Sequence, residues 1–189
     1  MADMSAKEFF DKFIPEKLAS LSGVDFPDVK DTIQIEVIGA GEWTGKIEGG
    51  KPTITAGKAS DPLITVAFTE AALKMGLARA GDQLDADISG PAKMAAGMLS
   101  PDKAEQVRSQ LQGTMKFTIT TNDGKEESIA IGFNGIDIDT PTCTIKTTEG
   151  EMNEMREQQM PPQQAFMAGK IRLEGDMSLA MQAGMLFAT

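Results

Sequence analysis

The stretch 160–187, MPPQQAFMAGKIRLEGDMSLAMQAGMLF, contains three consecutive pieces that decide the fold. Residues 161–167 predict a short helix, because a proline at the start of a helix loses no hydrogen bond. Residues 170–174 alternate charged and apolar side chains, which predicts a strand with one buried face. Gly175 ends that strand, and Asp176 is placed to cap a final helix.

The final helix carries Met177, Met181 and Met185 at positions i, i+4 and i+8, which places the three thioethers on one face. On its periodicity alone, such a stripe is typical of core packing. Methionine is also flexible and polarizable, so it fills irregular or changing cavities well. The chain contains 13 Met beside nine Phe, one Trp and no Tyr. This composition favours an adaptable cavity, although a chance preference for Met explains it equally well.

This order of pieces resembles the C-terminal signature of the sterol carrier protein 2 (SCP2) family. It couples a Pro-x-x-Ala-Phe turn to Gly-Lys, a strand, Gly-Asp and an apolar helix. The resemblance covers residues 160–187 closely and the preceding strands loosely. It implies an α+β lipid-binding fold with a hydrophobic tunnel, and lipid carriage rather than catalysis. The residues that match the signature are Pro162, Ala165, Phe166, Gly169, Lys170, Ile171, Leu173, Gly175, Asp176, Met177, Leu179 and Ala180.

The rest of the sequence shows one order of elements twice: a helix, several strands, a helix, a strand and a helix. The Gly-Gly dipeptide at 49–50 in the first set aligns with the Asn-Gly dipeptide at 134–135 in the second. We therefore predict two SCP2-like halves, residues 1–99 and 100–189, of which the second carries the signature. The expected fold class is α+β, with a mostly antiparallel sheet covered by helices. A single larger α+β domain with accidental internal similarity is the alternative.

Two strands of this repeat are predicted from short patterns. Residues 83–89 alternate Leu84, Ala86 and Ile88 on one side, which predicts a fifth strand in the first half. Residues 136–139 follow the Asn-Gly dipeptide, which is the strongest hairpin signal in the chain and predicts a strand on each side of it.

Composition and charge exclude several classes of function. The net charge is −10 and the pI is near 4.5, so we expect neither nucleic-acid binding nor firm attachment to anionic lipid. The single cysteine excludes an internal disulfide and fits a reducing compartment. No apolar run reaches the roughly 18 residues of a membrane-spanning helix, and the N-terminus lacks a secretory signal. We expect a cytoplasmic protein.

The chain contains no histidine, which removes Ser-His-Asp and Cys-His catalysis and the usual transition-metal ligands. Cys143 lies within a predicted strand and is expected to be a small buried side chain rather than a nucleophile. Residues 39–41, Gly-Ala-Gly, predict a turn, since no helix follows to hold a pyrophosphate. Asp123, Asp137 and Asp139 do not match a calcium loop. The sequence therefore predicts a non-enzymatic protein with no metal and no cofactor.

The predicted function is the binding and intracellular transfer of a sterol, a fatty acyl chain or a similar lipid in a hydrophobic tunnel. The C-terminal helix would act as a lid, with transient membrane contact allowed and the oligomeric state left open. The alternative is an SCP2-like protein-interaction or substrate-presenting module for a lipid-modifying enzyme, without an open cavity. The predicted ligand-binding residues of the second half are Phe166, Met167, Ile171, Leu173, Met177, Leu179, Met181 and Met185. The equivalent residues of the first half are Leu73, Leu77, Met94 and Met98.

Overall fold

The computed structural model describes residues 4–21, 26, 27 and 29–187. Within this part of the chain, eight strands form one continuous sheet. Their bounds are β1 (Ile33–Ile38), β2 (Gly41–Glu48), β3 (Lys51–Ala56), β4 (Ile64–Thr69), β5 (Gly113–Thr120), β6 (Glu126–Phe133), β7 (Cys143–Thr148) and β8 (Arg172–Gly175).

Eight α-helices accompany the sheet in the described residues, and a π-helical segment, Phe9–Phe13, joins the first two. The side chains of Ser5, Thr69 and Thr148 cap three of the helix starts, because each satisfies backbone N–H groups that have no partner within the helix. The bounds are α1 (Ala6–Glu8), α2 (Ile14–Ser20), α3 (Glu70–Ala86), α4 (Ser89–Met98), α5 (Pro101–Gln110), α6 (Glu149–Glu157), α7 (Pro162–Met167) and α8 (Met177–Phe187).

The strand order across the sheet is β3-β2-β1-β4-β6-β5-β7-β8. Two neighbouring pairs are parallel, β1 with β4 and β5 with β7, and the other five pairs are antiparallel. This arrangement confirms the predicted α+β class with a mostly antiparallel sheet. The Gly-Gly hairpin between β2 and β3 forms as predicted, with φ of 57° at Gly49 and 71° at Gly50.

The same pairing pattern occurs twice along the sheet. In each of the trios β1-β2-β4 and β5-β6-β7, the first strand pairs antiparallel with the second and parallel with the third. A helix with a threonine N-cap, Thr69 or Thr148, follows the third strand of each trio. Antiparallel pairing of β4 with β6 joins the two trios. The division of the chain at residues 99 and 100 stays a prediction.

The apolar side chains of the strands collect on one face of the sheet, where the helices pack. On β1, Ile33, Ile35 and Val37 pack in the core clusters, whereas Gln34 and Glu36 alternate with them on the opposite face. The largest cluster lies beneath α5 and α8, and a second, aromatic cluster lies beneath the helices at the start of the chain and α3. Helices α1 to α5 and α8 therefore cover the apolar face of the sheet.

The predicted strand over residues 83–89 is wrong, because α3 continues through most of this segment. Both edges of β4, beside which such a strand would lie, are already filled by β1 and β6. Leu84 instead packs against the aromatic cluster, and Asp87 accepts a hydrogen bond from the backbone N–H of Ser89 at 2.7 Å. The alternating pattern does not produce a strand here, because β4 has no free edge with which this segment could pair.

The predicted strand over residues 136–139 is also wrong. The edge of β6 that a hairpin would use is paired with β4. Asn134 adopts a φ of 55° and donates from its side-chain amide to the carbonyl oxygen of Leu111 at 2.7 Å. Asp137 then accepts hydrogen bonds from the backbone N–H groups of Asp139 and Thr140, which folds this segment into a turn.

We predict that residues 92–188 expressed alone will not form a cooperative monomer. The fragment loses Leu63 and Ile64, two buried members of the cluster beneath α8, and it uncovers the whole β4 edge of β6. An exposed apolar strand edge is a template for association. Thermal unfolding and size-exclusion chromatography should show a broad transition or oligomers. A monomeric fragment with a sharp transition would contradict the conclusion that the second part of the chain needs the pairing of β4 with β6.

We also predict that Gly132→Ala destabilises the protein by about 1–3 kcal/mol. A Cβ at this position, the next-to-last of β6, would overlap the carbonyl oxygen of Gly135 and lie 2.7 Å from the Cβ of Ile136. Gly45→Ala is the matched control, since its added Cβ would have one neighbour, the carbonyl oxygen of Ile33 at 3.8 Å. Chemical denaturation of both variants compares the free energies of unfolding. Equal free energies of unfolding for the two variants would contradict the prediction.

Candidate functional site

The start of α8 is fixed by a sharp turn after β8. Gly175 adopts a φ of 88°, a conformation that disfavours residues with a Cβ, and its added Cβ would overlap the carbonyl oxygen of Thr142. The backbone N–H of Asp176 donates to that same oxygen at 2.8 Å. The carboxylate of Asp176 accepts from the backbone N–H and the hydroxyl of Ser178, at 2.8 and 2.6 Å. These hydrogen bonds lower the pKa of Asp176.

The inner face of α8 closes the core of the second half. Leu179, Ala183 and Leu186 are buried in the cluster that also contains Val107 of α5 and Met115 of β5. They recur at i, i+4 and i+7, which is the spacing of one helix face. This stripe was visible in the sequence, but only Leu179 was assigned to the predicted site.

The outer face of α8 carries the methionine stripe. Met177, Met181 and Met185 are 44%, 60% and 70% exposed, so the reading of this stripe as core packing is wrong. Both stripes have helical periodicity, and they lie on opposite sides of the same helix. Periodicity alone cannot decide which of two apolar faces meets the sheet, so the choice depends on the shape of the surface beneath.

The other predicted residues of the second half lie in two kinds of place. Phe166 and Met167 on α7 are exposed, whereas Ala165 on the same helix is fully buried. Ile171 and Leu173 are partly buried, and Leu173 packs against the cluster beneath α8. Of the eight predicted residues, Leu173 and Leu179 are the ones that this cluster brings together.

The first-half residues are distributed over three places. Leu73 and Leu77 are buried in the aromatic cluster, beside residues such as Trp43. Met98 packs against the other cluster, beneath α5 and α8, and Met94 is exposed on α4. The twelve predicted residues therefore form no common cluster, and their role in ligand binding stays a prediction.

Two surface grooves large enough for a small ligand lie elsewhere in the described residues, and no predicted residue lines either one. The first, of about 660 Å³, lies along α5. Its Arg108 pairs with Asp31 at 2.6 Å and with Asp61 at 3.3 Å, and these partners raise the pKa of the guanidinium. The second, of about 770 Å³, lies between α2 and β3. Arg108 and Asp31 of the first groove are thus already paired with each other.

The side chains of Cys143 and Asp137, considered above as catalytic or metal-binding groups, are buried or hydrogen-bonded within the fold. Cys143 is fully buried, and burial raises the pKa of its thiol, with a further contribution from Asp176. Among the described residues, no three His, Cys, Asp or Glu side chains come together as a metal site. The carboxylate of Asp137 is engaged by the turn that follows it, and these hydrogen bonds lower its pKa. No helix in the described residues is long and apolar enough to cross a membrane.

Solved structures of sterol carrier proteins are similar to part of this chain. The Sterol Carrier Protein 2 Like 2 of Aedes aegypti is 19% identical, with 60% of this chain and 97% of that chain covered and a TM-score of 0.38. The sterol carrier protein domain 2 of Helicoverpa armigera is 22% identical, with coverages of 49% and 77% and a TM-score of 0.35. The Sterol Carrier Protein 2 of Yarrowia lipolytica is 17% identical, with coverages of 50% and 83% and a TM-score of 0.36.

No curated protein sequence matches this chain. The three structural likenesses have TM-scores below 0.5, so the assignment rests on the sequence of the chain itself. The model of the SCP-2 sterol transfer family matches residues 92–188, slightly more than half of the 189 residues. The matched region contains β5 to β8, the capped turn at Gly175 and the whole of α8. The chain belongs to the SCP-2 sterol transfer family.

Proposed function

We propose that this protein binds a lipid without chemical conversion and transfers it within the cytoplasm. The ligand is a sterol, a fatty acyl chain or a similar molecule, held in a hydrophobic tunnel of the C-terminal half. Family membership supports lipid binding in general, and the matched residues include the proposed site. The absence of histidine from the whole sequence supports a non-enzymatic role.

The observation that carries the proposal is the way α8 closes the second half. Its inner face covers apolar side chains from β5, β7 and β8, including Phe117, Ile145 and Leu173. No charged residue occurs anywhere in α8, so lifting it from the sheet breaks no ion pair of its own. Its described polar attachments are at the ends, where Asp176 caps the start and the Lys103 ammonium donates to the carbonyl oxygen of Leu186.

The mechanism that follows is passive. α8 pivots at Gly175, a lipid tail enters between the helix and the sheet, and the helix closes over it. Burial contributes about 0.8 kcal/mol per CH₂ and needs no directional hydrogen bond, so the site should accept tails of different structure. Leu173 and Leu179 are the first contacts of the ligand. The thioethers of α8 reach it only if the helix also turns about its axis.

A protein-interaction or substrate-presenting module is the second candidate. The observation that favours it is the exposure of apolar side chains on α7 and α8, together with the dense packing beneath α8. Leu63, Val107 and Cys143 in that cluster have no exposed surface. Such a module would present its outer surface to a lipid-modifying enzyme and would hold no lipid inside.

We predict that the purified protein carries a lipid and that Leu173→Ser lowers affinity for a fluorescent acyl probe about tenfold. Removing one buried leucine side chain from a ligand contact costs on the order of 1.5–3 kcal/mol. Native mass spectrometry with organic extraction identifies the co-purifying molecule, and probe titration measures the affinity.

Leu84→Ser is the matched control for this experiment. Leu84 is also a partly buried leucine, but it packs against the aromatic cluster of the first half. Its variant should keep the affinity of the unaltered protein, and thermal unfolding should confirm that both variants are folded. A lipid-free mass that no added acyl chain or sterol shifts would favour the interaction module.

We also predict that Asp176→Ala releases bound probe several-fold faster. The pKa of Asp176 is lowered from its ordinary value of 3.8, so the carboxylate stabilises α8 fully at pH values above 3.8. This contribution is lost as the pH falls through the lowered pKa. Release from the unaltered protein should therefore accelerate in that acid range and not at neutral pH. Stopped-flow transfer of the probe to acceptor vesicles measures the rate.

Asp87→Ala provides the matched control for the cap. Asp87 accepts from the backbone N–H and hydroxyl of Ser89 at 2.7 and 2.9 Å, which repeats the Asp176 arrangement at the start of α4. Its loss should leave release unchanged, because α4 is not the lid. Equal acceleration in both variants would remove the assignment of α8 as the moving element.

A further inference from the structure

We propose that the outer face of α8, formed by Met177, Met181 and Met185, docks onto the surface of an electrically neutral, zwitterionic lipid bilayer. The inference rests on the proposed function in one respect, since it names the partner that the lid meets when it exchanges lipid. It concerns the outside of the helix, whereas the ligand site lies inside.

The first observation is that α8 is apolar on both sides. Its inner face is buried against the sheet, and its outer face exposes three thioethers by 44%, 60% and 70%. A helix on the surface of a globular protein normally presents charged and polar side chains to water. α8 has no charged residue in eleven positions, so its outer face meets water with side chains suited to an apolar environment.

The second observation is the distribution of charge along the chain. Residues 158–189 contain two positive side chains, Lys170 and Arg172, and two negative ones, Glu174 and Asp176. The whole net charge of −10 therefore lies in residues 1–157. Five of the seven large apolar side chains that the described residues expose lie in the neutral segment: Phe166, Met167, Met177, Met181 and Met185.

This distribution decides which bilayer fits. Attachment to anionic lipid depends on clusters of Lys and Arg close to the membrane, and α8 offers none. An anionic surface would also repel the acidic remainder of the protein. A zwitterionic surface exerts no such repulsion, and it accepts an uncharged apolar helix at its headgroup boundary.

The area of the face distinguishes a bilayer from a second copy of the chain. A helix of eleven residues is about 16 Å long and about 10 Å wide, so its face covers on the order of 160 Å². A stable protein interface needs about 800 Å² on each partner. A bilayer imposes no such requirement, because the helix is simply immersed at its boundary. The small face suits brief contact, as a carrier that must leave the membrane requires.

The test is cosedimentation of the full-length protein with vesicles of phosphatidylcholine. Met181→Gln with Met185→Gln keeps the length and helix propensity of the side chains but makes them polar, and should lower vesicle partition about tenfold. Met181→Leu with Met185→Leu should keep it. Met185→Gln and Met94→Gln form a matched pair, since their methionines are 70% and 66% exposed on different helices. The first should lower partition and the second should not.

Several outcomes would overturn the proposal. One is that the unaltered protein does not bind phosphatidylcholine vesicles. Another is that it binds more tightly when about a third of the lipid is phosphatidylserine. Equal losses for Met94→Gln and Met185→Gln would show that α8 has no special role. A dimer that dissociates in the double Gln variant would show that a second copy of the chain covers the outer face of α8. Binding to a partner protein without binding to vesicles would show that this partner covers it instead.

Native mass spectrometry without vesicles separates this proposal from the proposed function. A double Gln variant that keeps its lipid but no longer partitions supports docking by the outer face. If that variant loses its lipid in the absence of vesicles, the thioethers line the ligand site and the docking assignment falls. If the unaltered protein carries no lipid yet binds vesicles through Met181 and Met185, docking stands and the proposed function fails.

Discussion

The antiparallel pairing of β4 with β6 is the interaction on which the rest of the structure depends. It joins four strands from the first part of the chain to four from the second and makes one sheet of eight. It also places Leu63 and Ile64 in the core beneath α8, so that residues far apart in sequence share one cluster. Because both edges of β4 and β6 are filled, segments that carry strand patterns nearby must fold in other ways.

The position of most helices follows from this sheet. The strands direct their apolar side chains to one face, and the helices cover that face in two main clusters. α8 covers the end of the sheet that the family model matches, and it is held there mainly by apolar packing. The capped turn at Gly175 fixes where the helix begins, and it is the pivot of the proposed opening. Because α8 contains no charged residue, the proposed opening of this helix for a lipid would break no ion pair of its own.

The two faces of α8 connect the proposed function with the proposed docking surface. Leucine and alanine meet the sheet, and flexible methionines meet the surroundings. The net negative charge lies outside the neutral C-terminal segment, so the apolar outer face is free of strong repulsion at a zwitterionic surface. In these two proposals, one helix covers the ligand with its inner face and meets the bilayer with its outer face.

Local patterns determined much of this protein: the signature at residues 160–187, the cap at Asp176, the glycine hairpin and the α+β class all depend on neighbours within a few residues. The absence of histidine and the net negative charge also follow directly from the sequence. The tertiary structure decided three things. It excluded strands at 83–89 and 136–139, because β4 and β6 pair with each other and leave neither strand a free edge for these segments. It also turned the leucines of α8 inward and the methionines outward, because two apolar stripes of equal period can be distinguished only by the surface against which they pack.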